Sequence, residues 1–262
     1  MPPVPYFQAA MGRYVALGDD DLRLLQRLER HTAAAGKDRV LWGHGERVRN
    51  LFILQSGWAC TVRDTVEGER QIIELLLPGD IIGLREFTFR RHGSEARMIS
   101  AGSVSSFTHR NIVDLVAASA ALAVALFAAI GRQEALLTER MLVTLHRSAR
   151  VQVSHFVLET YLRLSKLQPV DPARMPFPVS QRLLGQILGL SPVHINRTLS
   201  ALERDGVLEK HRAHVVIHDP RRLHAEADFD DDYLSDRVDG LGRRLAELRD
   251  GAGPFGLSRS GS

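Results

Sequence analysis

Residues 179–204 read VSQRLLGQILGLSPVHINRTLSALER, and the architecture of the chain turns on how this stretch folds. Ser180 is a good N-cap, and Leu183, Leu184, Ile187 and Leu188 give a short helix one apolar face. Gly189 and Leu190 supply a tight turn. Ser191 then caps a second helix, and Pro192 takes the first helical position, where its missing N–H costs nothing. Ile195, Leu199 and Leu202 form the buried stripe of that helix. Two short helices joined by a glycine turn make a helix-turn-helix, and Gly185 fits a close approach of one helix to the other.

With that stripe inward, the second helix turns Val193, His194, Asn196, Arg197 and Ser200 to other faces, while Ser180, Gln181 and Ser191 stand at the helix starts. The N-terminal part of such a second helix is the part presented to base edges. Arg holds guanine O6 and N7 with two hydrogen bonds, and Asn does the same for adenine. Arg197 is therefore the first candidate for base readout. An ordinary solvated helix face is the alternative.

Downstream, VLEKHRAHVVIHDP reads as two β-like runs, a wing whose tip places Lys210 and Arg212 on phosphates. His211, His214 and His218 suggest a metal, but strand alternation puts His211 and His214 on opposite sides, so no metal is expected. Upstream, Pro169, Pro172, Pro176 and Pro178 break the chain after a helix expected over 149–167. Before that lies a proline-free run, residues 121–150. Its Ala123, Leu126, Ile130, Gln133 and Leu137 recur at steps of three and four. This seam reads either as a dimer helix that also links two domains or as an intramolecular core helix. The apolar run 115–130 is alanine-rich and too short for a membrane span. From Val40 to His109 short β-rich runs alternate with turns such as Glu67-Gly68 and Pro78-Gly79-Asp80, suggesting a small antiparallel barrel or roll.

The net charge of +3 over 262 residues conceals its distribution. Residues 146–224 hold 12 basic and 6 acidic side chains and seven of the 11 histidines, whereas residues 225–262 hold 5 and 9. A basic segment of this kind fits nucleic acid. The one cysteine, Cys60, excludes an internal disulfide and fits a reducing compartment; with no secretory pattern in MPPVPYFQ, the expected location is cytoplasmic. No phosphate-binding glycine loop, H-E-x-x-H or G-x-S-x-G motif points to an enzyme.

The order of roll, long helix and winged helix-turn-helix resembles the CRP/FNR family of bacterial transcription regulators, over roughly residues 38–222. SQRLLGQILGLSPVHINRTLSALERDGVL looks like the family's DNA-binding motif, and LWGHGE, LFILQSG and LLPGDIIG look like its cyclic-nucleotide-binding roll. The resemblance implies an α+β fold: an antiparallel β-roll (a double-stranded β-helix or jelly roll), a long dimerisation helix and a C-terminal winged helix-turn-helix. It further implies a homodimer on a palindromic double-stranded DNA site, with RNA polymerase as partner of an activator and no membrane.

The expected division is an N-terminal segment 1–20, a sensor roll 21–118, a dimerisation helix 119–147, a winged domain 148–223 and an acidic extension 224–262. In that extension Leu241, Leu245 and Leu248 have helical spacing, which fits a short amphipathic helix docked on the domain or on a partner, though a solvated tail is the leading expectation.

Where cyclic-AMP-binding members carry Gly-Glu and Arg-Ser, this chain has Gly83-Leu84 and Glu95-Ala96. A carboxylate replaces the phosphate anchor, so cyclic AMP is not the expected ligand. Arg85 with Glu86, or Arg97, would substitute only if the loop shifted. One cysteine excludes an iron–sulfur cluster. Haem, through His44, His92 or Cys60, and a redox-responsive Cys60 are minor alternatives, as is a module acting through protein contacts. No cofactor is expected, and the effector is left open.

Overall fold

A computed structural model of the chain describes residues 6–236 and residue 245. Two short helices come first, α1 (Tyr6–Gly12) and α2 (Asp19–Leu28). Eight strands follow: β1 (Thr32–Ala35), β2 (Val40–Trp42), β3 (Asn50–Ser56), β4 (Ala59–Asp64), β5 (Arg70–Leu76), β6 (Ile81–Ile82), β7 (Glu95–Met98) and β8 (Gly102–Thr108). They form two antiparallel sheets, ordered β1-β8-β3-β6 and β2-β7-β4-β5. Alternation along the strands sends Trp42, Leu54, Leu76, Ile82, Met98 and Val104 into the space between the sheets. Gly79, at φ 94°, makes the turn into β6 and lets α1 approach, since a Cβ there would lie 2.9 Å from the Tyr6 carbonyl oxygen.

Helix α3 (His109–Ala118) and helix α4 (Ala120–His146) meet at Ser119, whose hydroxyl accepts from the Leu122 N–H and donates to Asp21 at 2.6 Å. The apolar run 115–130 is thus broken at a cap and is not one helix. Among the described residues, α4 is the one helix long and apolar enough to cross a membrane. Here its Ala121, Leu122, Ala125 and Leu126 pack into the roll beside Leu51, Ile53, Phe107 and α1's Phe7. Helix α5 (Ala149–Ser165), capped by Ser148, opens the C-terminal unit. It continues with β9 (Met175–Pro176), α6 (Gln181–Leu188), α7 (Pro192–Arg204), β10 (Leu208–Lys210), β11 (His214–Ile217) and α8 (Pro220–Ala227). A third antiparallel sheet is ordered β10-β11-β9. The α+β architecture of roll, long helix and winged helix-turn-helix is therefore present.

Three expectations need correction. The boundary at 20/21 cuts α2 and the boundary at 223/224 cuts α8, because both helices bury residues (Leu25, Leu28, Leu223, Ala227) in adjoining cores. The start of the extension is not a solvated tail. Phe229, Tyr233 and Leu234 pack on the core of the winged unit, with Phe229 4.6 Å from the His155 ring on α5. Of the leucines expected there, Leu245 packs beside the roll core, while Leu241 and Leu248 lie outside the described residues.

The seam expected on α4 is displaced by one residue. Leu126 is buried against the chain's own roll, Gln133 donates to the Ile81 carbonyl at 3.2 Å, and Ala123, Ile130 and Leu137 are half-buried. The solvent-facing row is instead Phe127, Gly131, Glu134, Thr138, Met141 and Leu145, with Phe127 73% and Leu145 68% exposed. That row also steps by four and three.

Candidate nucleic-acid interface

Each part of the helix-turn-helix is fixed by a short-range contact. The Ser180 hydroxyl accepts from the Leu183 N–H at 3.1 Å and the Ser191 hydroxyl from the His194 N–H at 3.3 Å, so both serines serve as caps. Leu184, Ile187, Leu188, Ile195, Leu199 and Leu202 form one core with β10 and β11. A Cβ on Gly185 would stand 2.5 Å from the Leu190 carbonyl oxygen, which is the close approach the sequence implies.

The opposite face of α7 is open. Val193, His194, Asn196, Arg197 and Ser200 are exposed, as is Gln181 at the start of α6. The side chains of Asn196 and Arg197 make no hydrogen bond or ion pair among the described residues. The helix therefore presents a free guanidinium and a free carboxamide from one surface.

The wing differs from expectation in two places. Lys210 is not a free tip cation: its ammonium sits 5.4 Å from the Phe177 ring centre, donates to the His211 carbonyl, and is pushed down to about 8 by burial. His211 and His214 are not on opposite sides. They flank the hairpin turn, where the His211 N–H donates to the His214 carbonyl at 2.9 Å, and their rings stack 4.4 Å apart. Arg212, between them, is exposed and unpaired among the described residues. Arg174 lies in the proline-rich stretch that precedes the helix-turn-helix, where no local pattern marks it as part of the wing. The pairing of β9 with β11 puts it next to the wing sheet.

The roll supports this unit directly. Helix α6 packs on β5, Trp58 meets Phe177 edge to face at 5.9 Å, and the winged core runs on into Cys60, Val62 and Ile72. Arg150 at the start of α5 grips Glu226 and Asp205 at 2.7 and 2.8 Å, tying α5 to α8 and to the end of α7.

Residues 34–119 match the cyclic nucleotide-binding domain, and residues 151–226 match the Crp-like helix-turn-helix domain. The transcriptional activatory protein AadR of Rhodopseudomonas palustris is 26% identical over 211 residues, which cover 80% of this chain and 87% of the relative. The nitrogen fixation regulation protein FixK of Bradyrhizobium diazoefficiens is 28% identical over 161 residues, 62% of this chain and 67% of the relative. Among solved structures, FixK2 from Bradyrhizobium japonicum superposes with a TM-score of 0.66 at 26% identity, covering 74% of this chain and 95% of that one. The chain belongs to the CRP/FNR family. It is a CRP/FNR-type transcriptional regulator with a DNA-binding helix-turn-helix, and CRP/FNR proteins as a family are regulators rather than enzymes.

In this CRP/FNR chain the positions aligned with the Gly-Glu and Arg-Ser pairs of cyclic-AMP-binding members, their phosphate cassette, are engaged by their own neighbours. Gly83, at φ 90°, faces Trp42 so closely that a Cβ would lie 2.9 Å from the indole ring, and Leu84 is buried in the core. Arg85 pairs with Glu74 at 3.4 Å, and burial raises the Glu74 carboxyl above its ordinary range. Glu86 holds His92 at 2.7 Å and accepts from the Ser94 hydroxyl at 3.0 Å. Glu95 pairs with Arg97 at 2.6 Å; Arg97 lines a cleft with Ser180 and Arg182, away from Gly83. The fallback set of Arg85, Glu86 and Arg97 is therefore not gathered around one point.

The haem and redox options also change. His92 stacks on Trp42 at 4.1 Å with Glu86 on its Nδ1, and His44 is an exposed loop residue. Burial pushes the Cys60 thiol up to about 12, which removes the thiolate that a redox response requires.

Proposed function

We propose that this regulator works as a cytoplasmic homodimer on a two-fold symmetric duplex, with Arg197 reading a guanine and Arg212 neutralising a phosphate. The exposed, unpaired face of α7, above a helix whose other side is fully packed, carries this reading. Asn196, His194, Val193 and Ser200 line the same face, and the exposed row from Phe127 to Leu145 is the surface on which a second copy would seat. RNA polymerase is its partner if it activates.

Arg197→Ala is expected to cost about 1–3 kcal/mol on the specific site and to relax preference at one base pair per half-site. Arg212→Ala is expected to weaken specific and random duplexes alike and to flatten the salt slope by about one unit. Fluorescence anisotropy across a salt series separates the two. Equal losses on both duplexes for Arg197→Ala would remove its readout role.

The roll does not take cyclic AMP in this reading. Glu95, already paired with Arg97, stands where the cyclic phosphate would need a cation. Calorimetry with cyclic AMP is expected to show no binding up to millimolar concentration; micromolar binding would overturn the point.

A further inference from the structure

Between α1, the β5–β6 turn, α4, α5 and the end of the described chain lies a small cleft, with about 60 Å³ of free space beside Asp236. Of the positions discussed for the cassette, only Leu84 lines it; Gly83, Arg85, Glu86 and Arg97 do not. Its charged lining is Arg13, Arg132, Arg140, Arg163 and Lys166 with Glu74, Asp80 and Asp236, and Glu159 behind the wall answers Arg140 and Arg163. Four lining side chains also keep a buried polar atom with no hydrogen-bond partner among the described residues: Arg13 Nε, Gln133 Oε1, Arg140 Nε and Arg163 Nη1. Buried polar atoms in this state, here three donors and one acceptor, are costly, and their collection around one space marks it as built for a polar guest. Tyr14, Leu136, Leu137 and Leu167 give the same space an apolar wall.

One carboxylate already sits there. Asp236 divides its two oxygens between Arg132 on α4, at 3.1 Å, and Lys166 on α5, at 2.8 Å. The same two cations also donate to the Ser235 and Leu234 carbonyls. We propose that this cleft is a binding site for a small organic carboxylate with an apolar body, and that Asp236 occupies it as a tethered surrogate.

The exchange is neutral in charge, since the incoming carboxylate takes over both cations as Asp236 leaves. Its apolar part meets Leu136, Leu137 and Leu167 where Leu234 withdraws. A tethered group competes at an effective concentration on the order of millimolar, so the free carboxylate binds the intact chain weakly and binds tightly once the tether's charge is removed. Since the ligand carboxylate bridges the same two cations, α4 stays joined to α5, and what the exchange releases is the Leu234–Asp236 segment from the winged unit. Any effect of that release on DNA rests on the proposed function; binding of the carboxylate does not.

Calorimetry on the full chain, without DNA, with hexanoate and benzoate as probes tests the site. Asp236→Ala and the isosteric Asp236→Asn are expected to bind both probes at least tenfold more tightly than the parent chain. Arg132→Gln added to Asp236→Ala should abolish that gain, and hexanamide should not bind. Circular dichroism confirms that each variant is folded. The proposal is overturned if Asp236→Ala and Asp236→Asn bind no more tightly than the parent, if hexanamide matches hexanoate, or if Arg132→Gln leaves the affinity unchanged. Loss of DNA binding alone would bear only on the proposed function.

Discussion

Glu159→Ala is expected to destabilise the protein by about 3 kcal/mol, read as a lower urea midpoint with an unchanged m-value. Glu159 is 2% exposed and serves three partners: the Tyr233 hydroxyl donates to it at 3.0 Å, and the guanidiniums of Arg140 and Arg163 approach to 3.9 and 3.8 Å. Both arginines are nearly buried. Each also donates to a β5 carbonyl, Ile73 for Arg140 and Leu75 for Arg163. Burial lowers the Arg140 pKa, and Glu159 is the first of the charges opposing that shift. Removing the carboxylate leaves Arg140 a buried charge without its nearest counter-ion, a change that typically costs 3–5 kcal/mol. The lower end applies because these are ion contacts rather than hydrogen bonds. Tyr233, whose phenol burial and Glu159 push up, loses its acceptor as well. A loss under about 1 kcal/mol would show that the network contributes nothing to stability.

Gly185→Val is expected to cost about 3 kcal/mol or more, since the 2.5 Å approach is to the backbone oxygen of Leu190 and no side-chain rotation relieves it. The same pair is joined by the Leu190 N–H donating to the Gly185 carbonyl at 3.0 Å, so opening the space also breaks the turn. The recognition helix then loses its fixed angle to α6. DNA affinity should fall with stability, whereas Arg197→Ala should lower affinity alone. A valine variant with parental melting and parental affinity would contradict the packing described.

The helix-turn-helix was legible because its determinants are local. Caps, turn glycine and apolar stripe all act within one or two turns, and Ser180, Ser191, Gly185 and Ile195 do what their spacing implies. The α4 face was not legible, because beside the apolar row that meets the roll the helix carries a mixed row with Phe127, Met141 and Leu145. Periodicity cannot tell which one Leu51 and Phe107, on strands of the roll, will cover.

Long-range packing decided the other differences too. Lys210 is held by Phe177, which precedes it by a helix-turn-helix. The acidic segment after Ala227 looked solvated by composition, yet Phe229, Tyr233 and Leu234 bury in the winged core and Asp236 pairs with Arg132 and Lys166. At the cassette, the substitution of Glu95 for a phosphate anchor was visible in the sequence. The pairing that satisfies it, with Arg97, required the strand.

Selection of bound duplexes from a random library with the full-length protein tests the central claim most directly. The account predicts an enriched two-fold symmetric sequence whose half-site centres lie one helical turn, about 10–10.5 base pairs, apart. Recovery of no enriched sequence, or of a single asymmetric half-site, would contradict it.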